Sequence, residues 1–218
     1  MRTEERRTRI REVRARLRRD GPAWTRGAER DFATVTLPER DCDLLRDLLI
    51  SERVRTVVEV GLAYGSSALA VGEALVTVNS PRPRHIVIDP FQQRAFANVG
   101  WDLLCSAGLD SIARLMATPS SIALSQLVSE GVHADAAFVD GSHRFHEVFV
   151  DLYFLRKIVR PGAQSSSLTM TGHRRCGPRC ATTSETSAGR RFLPRLPAER
   201  SGRSAATRKL KRYPAAEP

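Results

Sequence analysis

Apolar positions along this chain switch between a helical and a strand period, and each switch marks a predicted element. Over Met1 to Asp20, Ile10, Val13 and Leu17 recur at helical spacing in an otherwise charged segment, which predicts a helix with a narrow apolar seam. Such a seam can pack on the body of the protein, cover a site or pair two subunits, and an ordinary solvated helix is the simplest expectation. Gly21 to Thr36 reads as a linker or substrate-side loop carrying Trp24. Pro38 to Ser51 predicts an amphipathic helix with Leu44, Leu45, Leu48 and Leu49 inward. The β-branched run Val57, Val58, Val60 then reads as an interior parallel strand. Short apolar runs follow at His85 to Asp89, Ile112 to Ala117 and Ala136 to Val139. A helix to about Leu75 follows the first strand. Another, His143 to Val159, follows the last, with Phe145, Val148, Phe149, Leu152, Leu155 and Ile158 on its apolar face and Asp151 on its surface. Strands alternating with helices at these intervals predict an α/β fold, a Rossmann-like doubly wound sheet in three layers, in one domain.

Turn chemistry refines this picture. The first strand runs into G-L-A-Y-G-S-S, where Gly61 and Gly65 permit a tight turn and Ser66 or Ser67 can cap the next helix. The spacing is G-x-x-x-G, not G-x-G-x-x-G, and no lysine is placed as in a phosphate loop, so phosphate binding is not implied. Asp89 closes the second strand, the position from which a doubly wound sheet binds ribose hydroxyls. Asp140-Gly141-Ser142-His143 leaves the fourth. Each feature has a plainer explanation, since glycines make generic turns and Asp-Pro initiates them. Their coincidence at one edge of one sheet favours a ligand.

Together, the E-V-G-x-x-x-G-x-S loop, the I-D-P strand end and the V-D-G-S-H strand end resemble the class I S-adenosylmethionine-dependent methyltransferases, closest to the small-molecule O-methyltransferase branch. The resemblance covers Leu37 to Gly162. It implies that Glu59, Gly61, Gly65 and Ser66 line the methionine and ribose end of the cofactor, that Asp89 holds the ribose hydroxyls and that Ser120 lies on the adenine side. It implies a small-molecule hydroxyl as substrate, sugar or phenolic. Some members of the branch use a divalent ion held by acids at the ends of strands four and five, for which Asp140 is the matching ligand and Mg2+ the natural ion. His143 would serve as general base or extra ligand, with His146 three residues on.

Charge points elsewhere at first. The chain carries +11, which suggests nucleic acid, but Gln164 to Pro218 holds twelve Lys/Arg against three Asp/Glu and leaves only +2 for residues 1–163. The basic character belongs to the tail. Three segments result: 1–36, a basic helix and linker; 37–163, an incomplete methyltransferase domain; and 164–218, a basic tail whose Arg, Ser, Pro and Ala content predicts disorder. Where Arg160-Pro161-Gly162 should introduce a fifth strand, apolar periodicity stops, so the sheet is expected to have four strands, with the later ones missing or replaced by disordered tail. The genetic code accommodates a reading-frame slip near Gly162. A synonymous codon choice for Leu168 to Gly189, read from its third base, encodes D-D-D-W-A-P-S-V-R-T-A-V-R-Y-Y-E-R-N-L-G-W, which resembles the family's acidic pair and following helix. Without that pair, turnover is expected to be weak or absent.

Cys42 and Cys105 adjoin leucine-rich runs, as reduced thiols do, and no signal peptide or long apolar run appears, so a cytoplasmic chain is expected. His173, Cys176 and Cys180 lack a fourth zinc ligand. Two other classes stay open: a nucleic-acid-binding protein using the tail and the first helix, and an NAD-dependent Rossmann oxidoreductase using the same glycine turn. The first helix could also join two copies of the chain.

Overall fold

The computed structural model describes residues 3–22, 32–142 and 144–160, and the backbone alone of 168–171. Five parallel strands form one sheet: β1 Thr56–Val60, β2 Arg84–Ile88, β3 Ala113–Met116, β4 Ala136–Val139 and β5 Leu168–Thr171, in the order β3-β2-β1-β4-β5. The helices are α1 Thr3–Asp20, α2 Phe32–Val35, α3 Glu39–Ser51, α4 Ser66–Val78, α5 Gln92–Phe96, α6 Val99–Ser106, α7 Ser120–Ser129 and α8 Phe145–Ile158. Among the described residues, no helix is long and apolar enough to cross a membrane.

The period of two along each strand sorts side chains between two layers. Val57, Ala136 and Phe138 face α3 and α4 together with Leu45, Leu49, Val71 and Leu75, and Val87 joins the adjoining cluster of α1, α4 and α6. Val58, Val60, Ile86, Ile88, Ala137 and Val139 face α7 and α8, against Leu124, Leu127, Leu155 and Ile158. The central strands are buried on both faces, as their continuous apolar runs require.

Several expectations are corrected. The α1 seam is not solvated: Ile10, Val13 and Leu17 are buried in one cluster with Leu62, Tyr64 and Leu69. Charge fixes the docking. Glu73 of α4 is buried, and it accepts hydrogen bonds from Arg11 Nε at 2.8 Å and from Arg14, which also bonds Asp43 of α3 at 2.7 Å. Burial works to raise the Glu73 carboxyl, but its arginine partners outweigh that and hold it below the usual range. Arg6 and Arg9 donate to the carbonyls of Gly108 and Ser106, and Arg18 pairs with Glu39. These arginines of α1 are thus spent on the fold.

In α3, Cys42, Leu45 and Leu49 are buried while Leu44 is 52% exposed, because the seam runs one residue round from the leucine pairs. In α8, Leu155 and Ile158 point inward as expected, but Phe145 and Phe149 face outward and Asp151 is buried. That helix has two apolar faces, and periodicity cannot say which one meets the sheet. The sheet also continues past the expected four strands: Leu168–Thr171 pairs in register with β4, Ala136 opposite Leu168 and Val139 opposite Thr171. The open edge of β4 supplies the pairing groups, and L-T-M-T alternates with a β-branched residue at every second place. Trp24, His143, the candidate zinc ligands His173, Cys176 and Cys180, and the rest of the tail lie outside the described residues.

Candidate active site

The carboxyl ends of β1, β2, β3 and β4 converge on one edge of the sheet. The chain leaves β1 into α4 on one face and leaves β4 into α8 on the other, so the topological switch point, where doubly wound sheets bind ligands, lies between the ends of β1 and β4. The loop Gly61 to Gly65 borders it. Gly61 has φ +97°, and a Cβ there would lie 2.6 Å from the Asp140 carbonyl oxygen, so glycine lets the β1 and β4 exits touch. Gly65 has φ +80° and is the N-cap of α4. Neither serine caps with its side chain, as the sequence had suggested: Ser67 Oγ instead donates to buried Glu59 at 2.5 Å, and the Ser66 hydroxyl lies against the Cys42 thiol. Burial pushes that thiol up to about 12, so it stays protonated and unreactive.

Asp89 organises the loop. Its Oδ2 accepts from the Leu62 and Ala63 amides at 3.1 and 2.9 Å and from Gln92 Nε2 at 2.9 Å, while Oδ1 accepts from the Phe91 amide at 2.8 Å. Gln92 Nε2 also reaches the Ala63 carbonyl at 2.9 Å. These bonds hold Ala63 at φ +47°, a left-handed conformation costing a residue with a Cβ about 1–2 kcal/mol. Tyr64, fully buried, is wedged between Phe32 and Phe96, with ring centroids 5.6 and 5.2 Å away. Gln92 and Tyr64 are parts of the site that sequence reasoning missed. The D-P-F-Q run held the signal for Gln92, but nothing local marks Tyr64 as a wedge.

The remaining expected residues divide. Glu59 sits at the strand end as anticipated, yet it is wholly buried, with Oε1 on Ser67 and Oε2 2.7 Å from His85 Nε2. Both oxygens are committed to bracing β1, β2 and α4. Ser120 opens α7, half-buried, beside the buried Asp151 carboxyl, which burial pushes upward and the Ser120 hydroxyl counteracts. Asp140 is half-buried at the β4 exit, its amide 2.8 Å from the Val60 carbonyl. Burial, reinforced by the nearby Glu59 charge, pushes its carboxyl up to about 7. His146 is exposed, 3.9 Å from Glu147.

The acceptor that the ribose hydroxyls of an adenosyl ligand would meet at this edge is Asp89. Asp89 accepts four hydrogen bonds within the chain, three on Oδ2 and one on Oδ1, so Oδ1 is the less committed oxygen for a ligand hydroxyl. A divalent ion does not fit comparably. Among the described residues, no group of three or more His, Cys, Asp or Glu side chains is gathered that could hold such an ion.

Residues 58–164 match the sequence profile of a family described as a methyltransferase domain. Solved structures share the fold. An O-methyltransferase from Bacillus cereus in complex with SAH has a TM-score of 0.55 at 17% identity, covering 71% of this chain and 63% of its own. The O-methyltransferase TomG from Streptomyces achromogenes, involved in tomaymycin synthesis and solved with SAM, gives 0.55 at 21%, covering 71% and 61%. A putative O-methyltransferase from Klebsiella pneumoniae gives 0.51 at 18%, covering 72% and 61%. The chain therefore spans less than two thirds of the length of these three relatives. No curated protein sequence matches it.

Proposed function

We propose, from the methyltransferase fold built around residues 58–164, that this chain binds S-adenosylmethionine between the ends of β1 and β4 and serves O-methylation of a small-molecule hydroxyl. The observation that carries this reading is the Asp89 bracket, which holds a glycine turn in a left-handed conformation beside the switch point. S-adenosylmethionine, when bound, supplies a methyl carbon on a sulfonium, and its transfer to oxygen leaves a neutral thioether and one hydroxyl proton to be removed.

The chain's own residues supply alignment and a proton acceptor. Gly61, Gly65 and Ser66 offer the backbone wall against which the methionine end lies. Asp89 takes a ribose hydroxyl on Oδ1, and Ser120 stands on the adenine side. Glu59 acts indirectly, pinning Ser67 and thereby the start of α4. Asp140, with a carboxyl near neutrality, takes the hydroxyl proton. The resemblance-based roles of His143 as base and of Asp140 as a Mg2+ ligand are not needed for this reading, and no step is routed through a metal.

Calorimetry on the full chain with S-adenosylhomocysteine, S-adenosylmethionine and NAD tests the assignment. Saturable heat with the first two and none with NAD is expected. Binding of NAD alone would move the chain to the oxidoreductase class, and a salt-sensitive affinity for nucleic acid with no adenosyl binding would move it to the other alternative.

A further inference from the structure

We propose that Gln92 is a positioning residue for ribose recognition: by committing one oxygen of Asp89 it turns the other toward the ligand. The proposal rests on the assignment of this sheet edge to S-adenosylmethionine and adds a residue that acts through Asp89. Gln92 opens α5 and is 1% exposed. Its Nε2 donates to Asp89 Oδ2 and to the Ala63 carbonyl, both at 2.9 Å. Only one orientation of the amide satisfies both contacts, because an oxygen in place of the nitrogen would face two oxygens. Gln92 Oε1 is then buried with no hydrogen-bond partner among the described residues. A buried acceptor without a partner costs stability, which an apolar side chain of the same size would avoid. What glutamine has and such a side chain lacks is the pair of N–H groups.

Those two hydrogens have separate tasks. The bond to Asp89 is the third on Oδ2, which also accepts from the Leu62 and Ala63 amides, whereas Oδ1 accepts from the Phe91 amide. Three donors on one oxygen fix the rotation of the carboxylate, and a ligand hydroxyl meets the less occupied one. All four donors are neutral, so Asp89 keeps its charge for that hydroxyl, and a hydrogen bond to a charged acceptor is the stronger kind. A cationic donor in place of the amide would neutralise the charge it orients. The second hydrogen reaches the Ala63 carbonyl while Asp89 holds the Ala63 amide, which clamps that left-handed residue at both of its peptide groups.

The backbone around Gln92 is held in turn. Its carbonyl accepts from the Asn98 amide at 2.7 Å, across a turn in which Ala97 and Asn98 both have left-handed φ, +47° and +60°. The chain then enters α6, whose Gly100 lies against the amide: a Cβ there would stand 2.5 Å from the Ala63 carbonyl oxygen and 3.1 Å from Gln92 Oε1. Gln92 is thus enclosed by the end of β2, the turn after β1 and the start of α6. A residue that must keep a binding group still requires that kind of packing.

Calorimetric titration of the full chain with S-adenosylhomocysteine, and with its analogue lacking both ribose hydroxyls, tests this in the parent, Gln92→Met and Gln92→Glu. Methionine keeps the volume and removes both donors; glutamate keeps the shape and puts an oxygen where the nitrogen was. The parent should bind S-adenosylhomocysteine at least about tenfold more tightly than the analogue, the worth of one hydrogen bond to a charged acceptor. Each variant should lose that preference, binding S-adenosylhomocysteine more weakly and the analogue within about threefold of the parent's affinity. Far-UV circular dichroism reports whether each variant is folded. Variants that weaken both ligands by the same factor, or neither, overturn the proposal and leave the cofactor assignment standing, because Gln92 would then serve the fold alone. A parent that binds both ligands equally overturns it too, since Asp89 would not read the ribose. A parent that binds neither overturns the cofactor assignment and the proposal with it. Failure of both variants to fold would assign Gln92 to stability and overturn the positioning role.

Discussion

Replacing Asp89 with Asn tests whether this carboxylate is a strut of the cofactor loop or only a ligand for a ribose. The aspartate accepts four hydrogen bonds, from Leu62, Ala63, Phe91 and Gln92, all between 2.8 and 3.1 Å. Asparagine keeps one oxygen and presents an NH2 group where the other was, so at least one backbone donor faces another donor. Losing one charge-assisted bond costs about 1.5–3 kcal/mol, and making the others neutral costs about 1 kcal/mol each. The total is about 4–6 kcal/mol. For a chain of this size that corresponds to a fall in Tm of roughly 8–24 °C. Differential scanning calorimetry measures the fall, and titration with S-adenosylhomocysteine on the surviving folded fraction measures the affinity. A strut loses both stability and affinity, because Ala63 is released from its left-handed conformation. A fall in Tm under about 4 °C, with affinity alone reduced, would refute the account of a preorganised loop.

Asp140→Asn should stabilise the protein increasingly as pH rises from 4 to 7 and by a constant amount above that. The folded carboxyl is raised from 3.8 to about 7, so ionising it opposes folding above its ordinary value. The gain should reach about 2–4 kcal/mol at pH 8, read as the difference in Tm between variant and parent at each pH, and a difference independent of pH would contradict the placement. Gly61→Ala should cost more than Gly65→Ala, since its Cβ would meet the Asp140 carbonyl at 2.6 Å, whereas the nearest atom at Gly65 is the Gly100 carbonyl at 3.1 Å. Denaturant unfolding should show a loss of about 3 kcal/mol or more for the first, and equal losses would remove the case for a tight β1–β4 junction.

What the sequence determined by itself was local and periodic. The β-branched run at Val57, Val58 and Val60, the glycines at 61 and 65 and the acids at 89 and 140 each place a strand, a turn or a strand end through backbone preferences that act over a few residues. The doubly wound sheet followed, because its connections are constrained in hand and order. Side-chain partnership lay beyond that reach. Asp89 reads as a free ligand until the fold brings the Leu62 and Ala63 amides to it, and Glu59 reads as one until Ser67 and His85 take both its oxygens. Glu73 and the arginines of α1 are unremarkable charges until docking buries them together. Only tertiary structure could decide which apolar face of α8 meets the sheet and whether the open edge of β4 would recruit Leu168–Thr171. Both depend on contacts between residues far apart in the chain, where the gain from burial and pairing outweighs local preference.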